Sequence, residues 1–113
     1  MKAISNLDLK APETTNKDTL KAWKTIMKFL AEKELGFTGG CKAFYSGEEA
    51  GKYHGFDTSK AALVVHYDGG DLHYVFNRDW ESAKLVDEMD SSLEKAGFYR
   101  EEINCWSSAI YKK

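Results

Sequence analysis

The sequence predicts an α+β domain: two helices packed on a mainly antiparallel four-stranded sheet, in helix–strand–hairpin–helix–strand order. Three observations carry this. Residues 16–35 and 79–96 repeat apolar side chains at helical spacing and both stretches end in Gly-Phe. Short runs rich in Val, Tyr and Phe stand between and after them at strand length. Asp68-Gly69-Gly70-Asp71 separates two such runs with the glycine pair of a tight turn. Two helices can then cover one face of a single sheet.

Each element has its own signal. Residues 1–13 read as an N-terminal arm or edge strand: Ile4, Leu7 and Leu9 alternate, and Pro12 ends the run. The remainder, 14–113, forms one domain. Thr15 or Asn16 caps the first helix, and Leu20, Trp23, Ile26, Met27 and Leu30 mark its apolar face. Gly36 and Phe37 close it. Residues 41–46 read as a strand. Residues 47–60 read as a long loop with one helical turn, and loops of that length are often functional. Ala61 to Tyr67 and Leu72 to Asn77 form the hairpin, with Leu63, Val65, Tyr67, Leu72, Tyr74 and Phe76 on its core face. Ser82, Leu85, Val86, Met89, Leu93 and Ala96 form the stripe of the second helix, capped by Asn77 or Asp79 and closed by Gly97-Phe98. A last strand spans about 103–111.

Composition excludes several classes. The chain has 113 residues, 30% of them charged, with a single proline and a net charge of −2. Collagen, chain-wide disorder and a disulfide scaffold are ruled out. No apolar run approaches the roughly 20 residues of a membrane span. Fifteen aromatic residues supply a core that needs no metal or disulfide to fold. The 14 lysines stand beside only two arginines, Arg78 and Arg100. Arginine supplies the fork that reads base edges, so nucleic-acid recognition is disfavoured. Met1-Lys2-Ala3-Ile4-Ser5 lacks the apolar core of a signal peptide, so a cytoplasmic setting with Cys41 and Cys105 reduced is expected.

The hairpin is where chemistry is most readable. With Gly69-Gly70 central, His66 faces His73 across the strands, with Asp68 and Asp71 beyond them. Imidazoles and carboxylates are ligands for a divalent metal and also make a general base with its orienting acid. His54 on the preceding loop is a third candidate. The same residues also suit a solvated sheet face or a partner-binding face. A nucleophile from Cys41 or Cys105 has no supporting spacing, and a buried thiol is the ordinary reading. Phosphate loops, HExxH, GxSxG and EF-hand patterns are absent. Lys17, Lys21, Lys24 and Lys28 form a stripe that suits an acidic protein, a phosphate backbone or plain solvation. Asp87, Glu88, Asp90 and Glu94 give the second helix an acidic face, which is either a contact surface or solubilising. Trp106 and Ile110 share one face of the last strand under strict alternation, either as a second buried layer or as an exposed patch for a partner.

Three segments bear a likeness: Gly39-Gly40-Cys41 with Phe44-Tyr45-Ser46, Val64-Val65-His66-Tyr67-Asp68-Gly69-Gly70-Asp71, and Cys105-Trp106 with Ala109-Ile110-Tyr111. Together they resemble small uncharacterised proteins of phages and mobile elements. The resemblance implies an accessory protein that binds and inhibits a host machine, CRISPR and other defence complexes among them. It carries over no catalytic residue. The resulting expectation is a small binding protein acting on a host protein or complex, more an inhibitor than an enzyme. Its contact residues would include His66, His73, Asp87, Asp90, Glu94 and Trp106. No cofactor is called for. The alternative is a metal-binding protein or metal-dependent enzyme using His66, His73, Asp68 and Asp71. A homodimer through a sheet edge is a further expectation.

Overall fold

The computed structural model describes residues 10–33, 43–54, 58–67, 76, 83–104 and 106–113. Helix α1 spans Lys17–Glu32. Asn16 precedes it in extended backbone, and its side-chain oxygen accepts the Thr19 N–H at 3.0 Å, satisfying one orphan amide of the first turn. Of the two caps the sequence offers, Asn16 takes the position. The Lys33 N–H donates to Phe29 O and closes the last turn. Gly36 and Phe37 lie outside the described residues.

Burial on α1 is rotated from the stripe that apolarity alone marks. Thr19, Ala22, Ile26, Phe29 and Leu30 are buried, whereas Leu20, Trp23 and Met27 are only partly covered. The helix packs on both a strand and a second helix, so position between neighbours decides which side chains go in. That second helix, α3, spans Ala83–Lys95 and buries Val86, Met89 and Leu93, with Leu85 and Ala96 at the margin. Gly97 ends it with φ +93°, its N–H donating to Glu94 O and its carbonyl accepting from Lys113 N–H. That left-handed residue turns the chain directly into a strand.

Four strands make one antiparallel sheet. They are β1 (Phe44–Tyr45), β2 (Leu63–His66), β3 (Phe98–Asn104) and β4 (Ser107–Lys112), in the order β1-β2-β4-β3. Leu63 lies opposite Ile110, and His66 opposite Ser107. Between β1 and β2 the chain forms helix α2, Gly47–His54, where the sequence predicts a loop with one turn. Ser46 Oγ accepts the Glu49 N–H, and Ala50 is fully buried, which anchors the helix.

The sheet has two unlike faces. Toward α1 and α3 it sends Phe44, Leu63, Val65, Tyr67, Ile110 and Phe98 into the main core with Ile26, Leu30, Met89 and Leu93. On the other side Tyr45, Val64 and Ala109 form a smaller cluster with Ala50 and Ala61. Each fully buried Leu, Ile or Phe contributes roughly 1.5–3 kcal/mol, so the first face holds most of the stability.

Two expectations need correction. The run 103–111 is not one strand. The chain reverses between Asn104 and Ser107, making a β3–β4 hairpin, with Ile103 as an extra residue where the register shifts between Glu102 and Asn104. Asn104 Oδ1 accepts both the Trp106 N–H (3.0 Å) and the Ser107 hydroxyl (2.9 Å), which holds the reversal. Nor does the hairpin pairing of 61–67 with 72–77 stand. β2 has β1 on one edge and β4 on the other, and Phe76 is helical. A strand has only two edges, so none is left for a third neighbour. Residues 1–9, Cys41, Cys105 and the turn 68–71 lie outside the described residues.

Two glycines are required here for different reasons. A Cβ at Gly97 would meet open space, so its substitution is opposed by φ alone. Gly97→Ala is expected to lower stability by about 1–2 kcal/mol, and Gly97→Asn by less, because Asn tolerates the left-handed region. A Cβ at Gly47 would collide with the Thr58 and Ala61 carbonyl oxygens. Gly47→Ala should lower stability by about 1–3 kcal/mol as the backbone shifts, and Gly47→Asn should be no better. Urea unfolding midpoints at constant slope check both.

Candidate functional site

On the helix side of the sheet a polar network crosses the core. Arg100, on edge strand β3, donates Nε to Asp90 Oδ1 at 2.7 Å and Nη2 to Asp90 Oδ2 at 3.1 Å. Its Nη1 donates to Ser108 Oγ at 2.9 Å, and Ser108 Oγ shares a 2.8 Å hydrogen bond with Tyr67 OH. Tyr67 stacks on Phe76 at 5.2 Å, and the guanidinium lies 5.9 Å from that same ring. Burial works to lower the Arg100 pKa, but the Asp90 hydrogen bond and charge outweigh it, and the net direction is upward. The group stays charged at every relevant pH. Ser108 is fully buried and its nearest charged neighbour is a guanidinium, which cannot accept a proton. Among the described residues no base stands beside this serine, and the network ties α3, β3 and β4 to Tyr67 at the end of β2.

The opposite face is aromatic and partly open. The His66 ring lies 4.3 Å from Tyr45 and 5.0 Å edge-on from Trp106. Further along, Tyr99 stacks on Tyr111 at 5.4 Å and 23°. Helix α2 covers this face at the β1–β2 end through Ala50. At the β3–β4 end Tyr99 is 42% exposed, the one large exposed hydrophobic side chain among the described residues. Tyr111 is half-buried beside it, Ile103 is half-buried farther along β3 against the smaller cluster, and Glu101 is exposed. Tyrosine offers a broad contact area at low entropic cost, so this end of the face can receive a partner surface. The sequence does not mark it, because β3 is legible only once the reversal at Asn104 is known.

The charged surfaces lie on the helices. Lys17, Lys21, Lys24 and Lys28 are all exposed on α1. Like charges three or four residues apart each oppose the helix by a few tenths of a kcal/mol, about 0.2–0.5. On α3, Glu88 pairs with Lys33 of α1 at 2.5 Å. Its carboxyl is held below the ordinary glutamate value, first by the Lys33 hydrogen bond, with the charges of Lys33 and Lys84 adding to it against the opposing effect of desolvation.

The predicted site residues are scattered by the fold. His66 and Trp106 come together on the aromatic face. Trp106 and Ile110 do not share a face, because the reversal breaks the alternation: Ile110 is buried in the main core. Asp90 is spent on Arg100, and Glu94 pairs with Lys113 at 3.1 Å. Asp87 is exposed on the α3 surface near Lys33 and Lys84. His73, Asp68 and Asp71 lie outside the described residues, as does the side chain of His54. β2 has β1 and β4 as its two neighbours. Among the described residues no group of three or more His, Cys, Asp or Glu side chains is gathered as a metal ion requires. None of the described helices is long and apolar enough to cross a membrane. Comparison with protein-family models, curated proteins and solved structures returns no match.

Two measurements probe these arrangements. A double-mutant cycle of Arg100→Met and Asp90→Ala, read by urea unfolding, should give a coupling of about 1–2 kcal/mol, between the values for exposed and buried pairs. Each single variant should be worse than the double, since it leaves a charged partner stranded. For Glu88, the folded pKa lies below the ordinary glutamate value of the unfolded chain, so its contribution is full above that value and is lost as pH falls through the lower folded one. A carboxyl NMR titration should show Glu88 midpoint moving up in Lys33→Gln, with a weaker loss of stability on acidification.

Proposed function

We propose that this chain is a small binding protein that acts by protein–protein contact, with the open aromatic end of the sheet as its contact surface. One observation carries the reading: Tyr99 stands exposed on Tyr111 at the edge of a sheet whose other face packs against α1 and α3. Interface energy concentrates in a few residues, with tyrosine, tryptophan and arginine enriched among them. Trp106 and His66 lie farther along the same face, and exposed Glu101 supplies a polar rim. The likeness to phage accessory proteins sets the class of partner to try first, a host protein complex whose action the chain would inhibit.

The test is capture from host lysate followed by reconstitution with the purified partner, compared across variants. Tyr99→Ala, a change at an exposed side chain, should weaken a stoichiometric complex at least about 30-fold, the effect of a hot-spot residue. Asp87→Ala with Glu94→Ala should leave it intact. Undiminished binding by Tyr99→Ala, with loss in the α3 variant, would move the contact to the acidic helix and refute this placement.

A further inference from the structure

We infer that the outer face of α1 binds the phosphate backbone of nucleic acid without regard to base sequence. Lys17, Lys21, Lys24 and Lys28 are all exposed there. At helical spacing they fall within an arc of about 60° and span about 16 Å along the axis. The arc lies opposite the buried line of Thr19, Ala22, Ile26 and Leu30. Among the described residues no ion pair engages these lysines: the paired cations are Lys33, Arg100, Lys112 and Lys113. Asp18, three residues before Lys21, is drawn to Lys112 instead. The Lys21 ammonium lies 5.9 Å from the Phe98 ring centre.

This stripe works against the helix that carries it. Lys17–Lys21, Lys21–Lys24 and Lys24–Lys28 are like-charge pairs at contact spacing, and Lys17 sits at the positive end of the helix dipole. A merely solvated helix face gains by alternating acids with bases, yet only Glu32, four residues after Lys28, does so here. A line of phosphates relieves the repulsion. Duplex DNA carries one charge per about 1.7 Å of axis, so a stripe this long lies beside several phosphates. The residue type points the same way. Lysine is a point charge for phosphate, whereas base edges are read by the arginine fork, and this chain has only two arginines. An acidic protein surface is the weaker fit, because protein interfaces anchor on apolar side chains and α1 exposes no large one. Where the stripe ends, Lys28 and Lys95 line one groove with Thr25, Ser92 and Glu32, which carries the basic surface on toward α3.

The surface is separate from the aromatic sheet face, so either reading can fail alone. The test is fluorescence anisotropy with two labelled duplexes of unrelated sequence, about 20 base pairs each, between about 50 and 200 mM salt. Both should bind equally, with log K falling against log salt at a slope of about −3 to −4, close to one for each lysine. Lys24→Gln should reduce the slope by about 1, and Lys21→Gln with Lys24→Gln and Lys28→Gln should bring it near −1. Lys52→Gln with Lys60→Gln, at exposed lysines elsewhere, should leave it unchanged. Circular dichroism should show the triple variant melting no lower than the parent, and the single variant stands alone should the triple fail to fold. No duplex binding at the lowest salt, or an unaltered slope in Lys24→Gln, overturns the inference. Binding to polyglutamate or phosphatidylserine vesicles in place of DNA also overturns it.

Discussion

The fold depends on β4 having two neighbours. The last strand of the chain lies inside the sheet, between β2 and β3, and every other assignment follows from that position. Ser108 and Ile110 are turned to the helices, Ala109 and Tyr111 to the other face. Small residues at 107–109 let both neighbours and the Asn104 reversal approach closely. Because hydrogen-bonded edges are a finite resource, seating β4 against β2 also decides what β2 cannot do. It has no free edge for a further strand beside β1 and β4.

The Arg100 network shows what a central strand demands of its surroundings. Placing Ser108 under the helix layer buries a hydroxyl, and a buried hydroxyl needs partners. Tyr67 supplies one and Arg100 the other. Arg100 is then itself mostly buried and requires Asp90, which fixes the rotation of α3 against β3. The chain of requirements is polar, yet it does not hold the fold together. A net hydrogen bond contributes about 0.5–1.5 kcal/mol, less than one well-buried Leu or Phe. Packing of Ile26, Leu30, Met89 and Leu93 supplies the stability, and the network selects one arrangement of that packing.

Much of this was legible in the residues. Period and caps locate α1 and α3, Gly97 marks the end of α3, and alternation separates Leu63, Val65 and Tyr67 from Val64 and His66. The strand content and helix-on-sheet class also follow. Three things did not. The reversal at Asn104 is short and its neighbours on both sides are strand formers, so the run reads as continuous until the Asn104 side chain is seen accepting two hydrogen bonds. Helix α2 is short and held by one buried alanine, a signal too weak to separate from a loop. Pairing partners are nonlocal, and no pattern within 61–67 states that its neighbours are 44–45 and 107–110. The candidate surface was missed for the same reason: Tyr99 becomes a surface residue on an edge strand only when β3 is known to exist.

What stability explains and what it leaves unexplained divides this molecule usefully. The buried face of α1 contributes several times the repulsion among its lysines, so the helix tolerates the stripe with a wide margin. Tolerance, however, is not a cause. Substituting Lys17 or Lys24 by glutamate would improve the isolated helix through i, i+4 pairing with Lys21 or Lys28. The same holds for Tyr99, whose exposed ring gives the folded state little beyond its stack on Tyr111. Residues that folding does not require, and in the lysines' case resists, are the ones the proposed contacts would use. That is the physical ground for reading this protein as one that meets partners, through an aromatic sheet edge on one side and a cationic helix on the other.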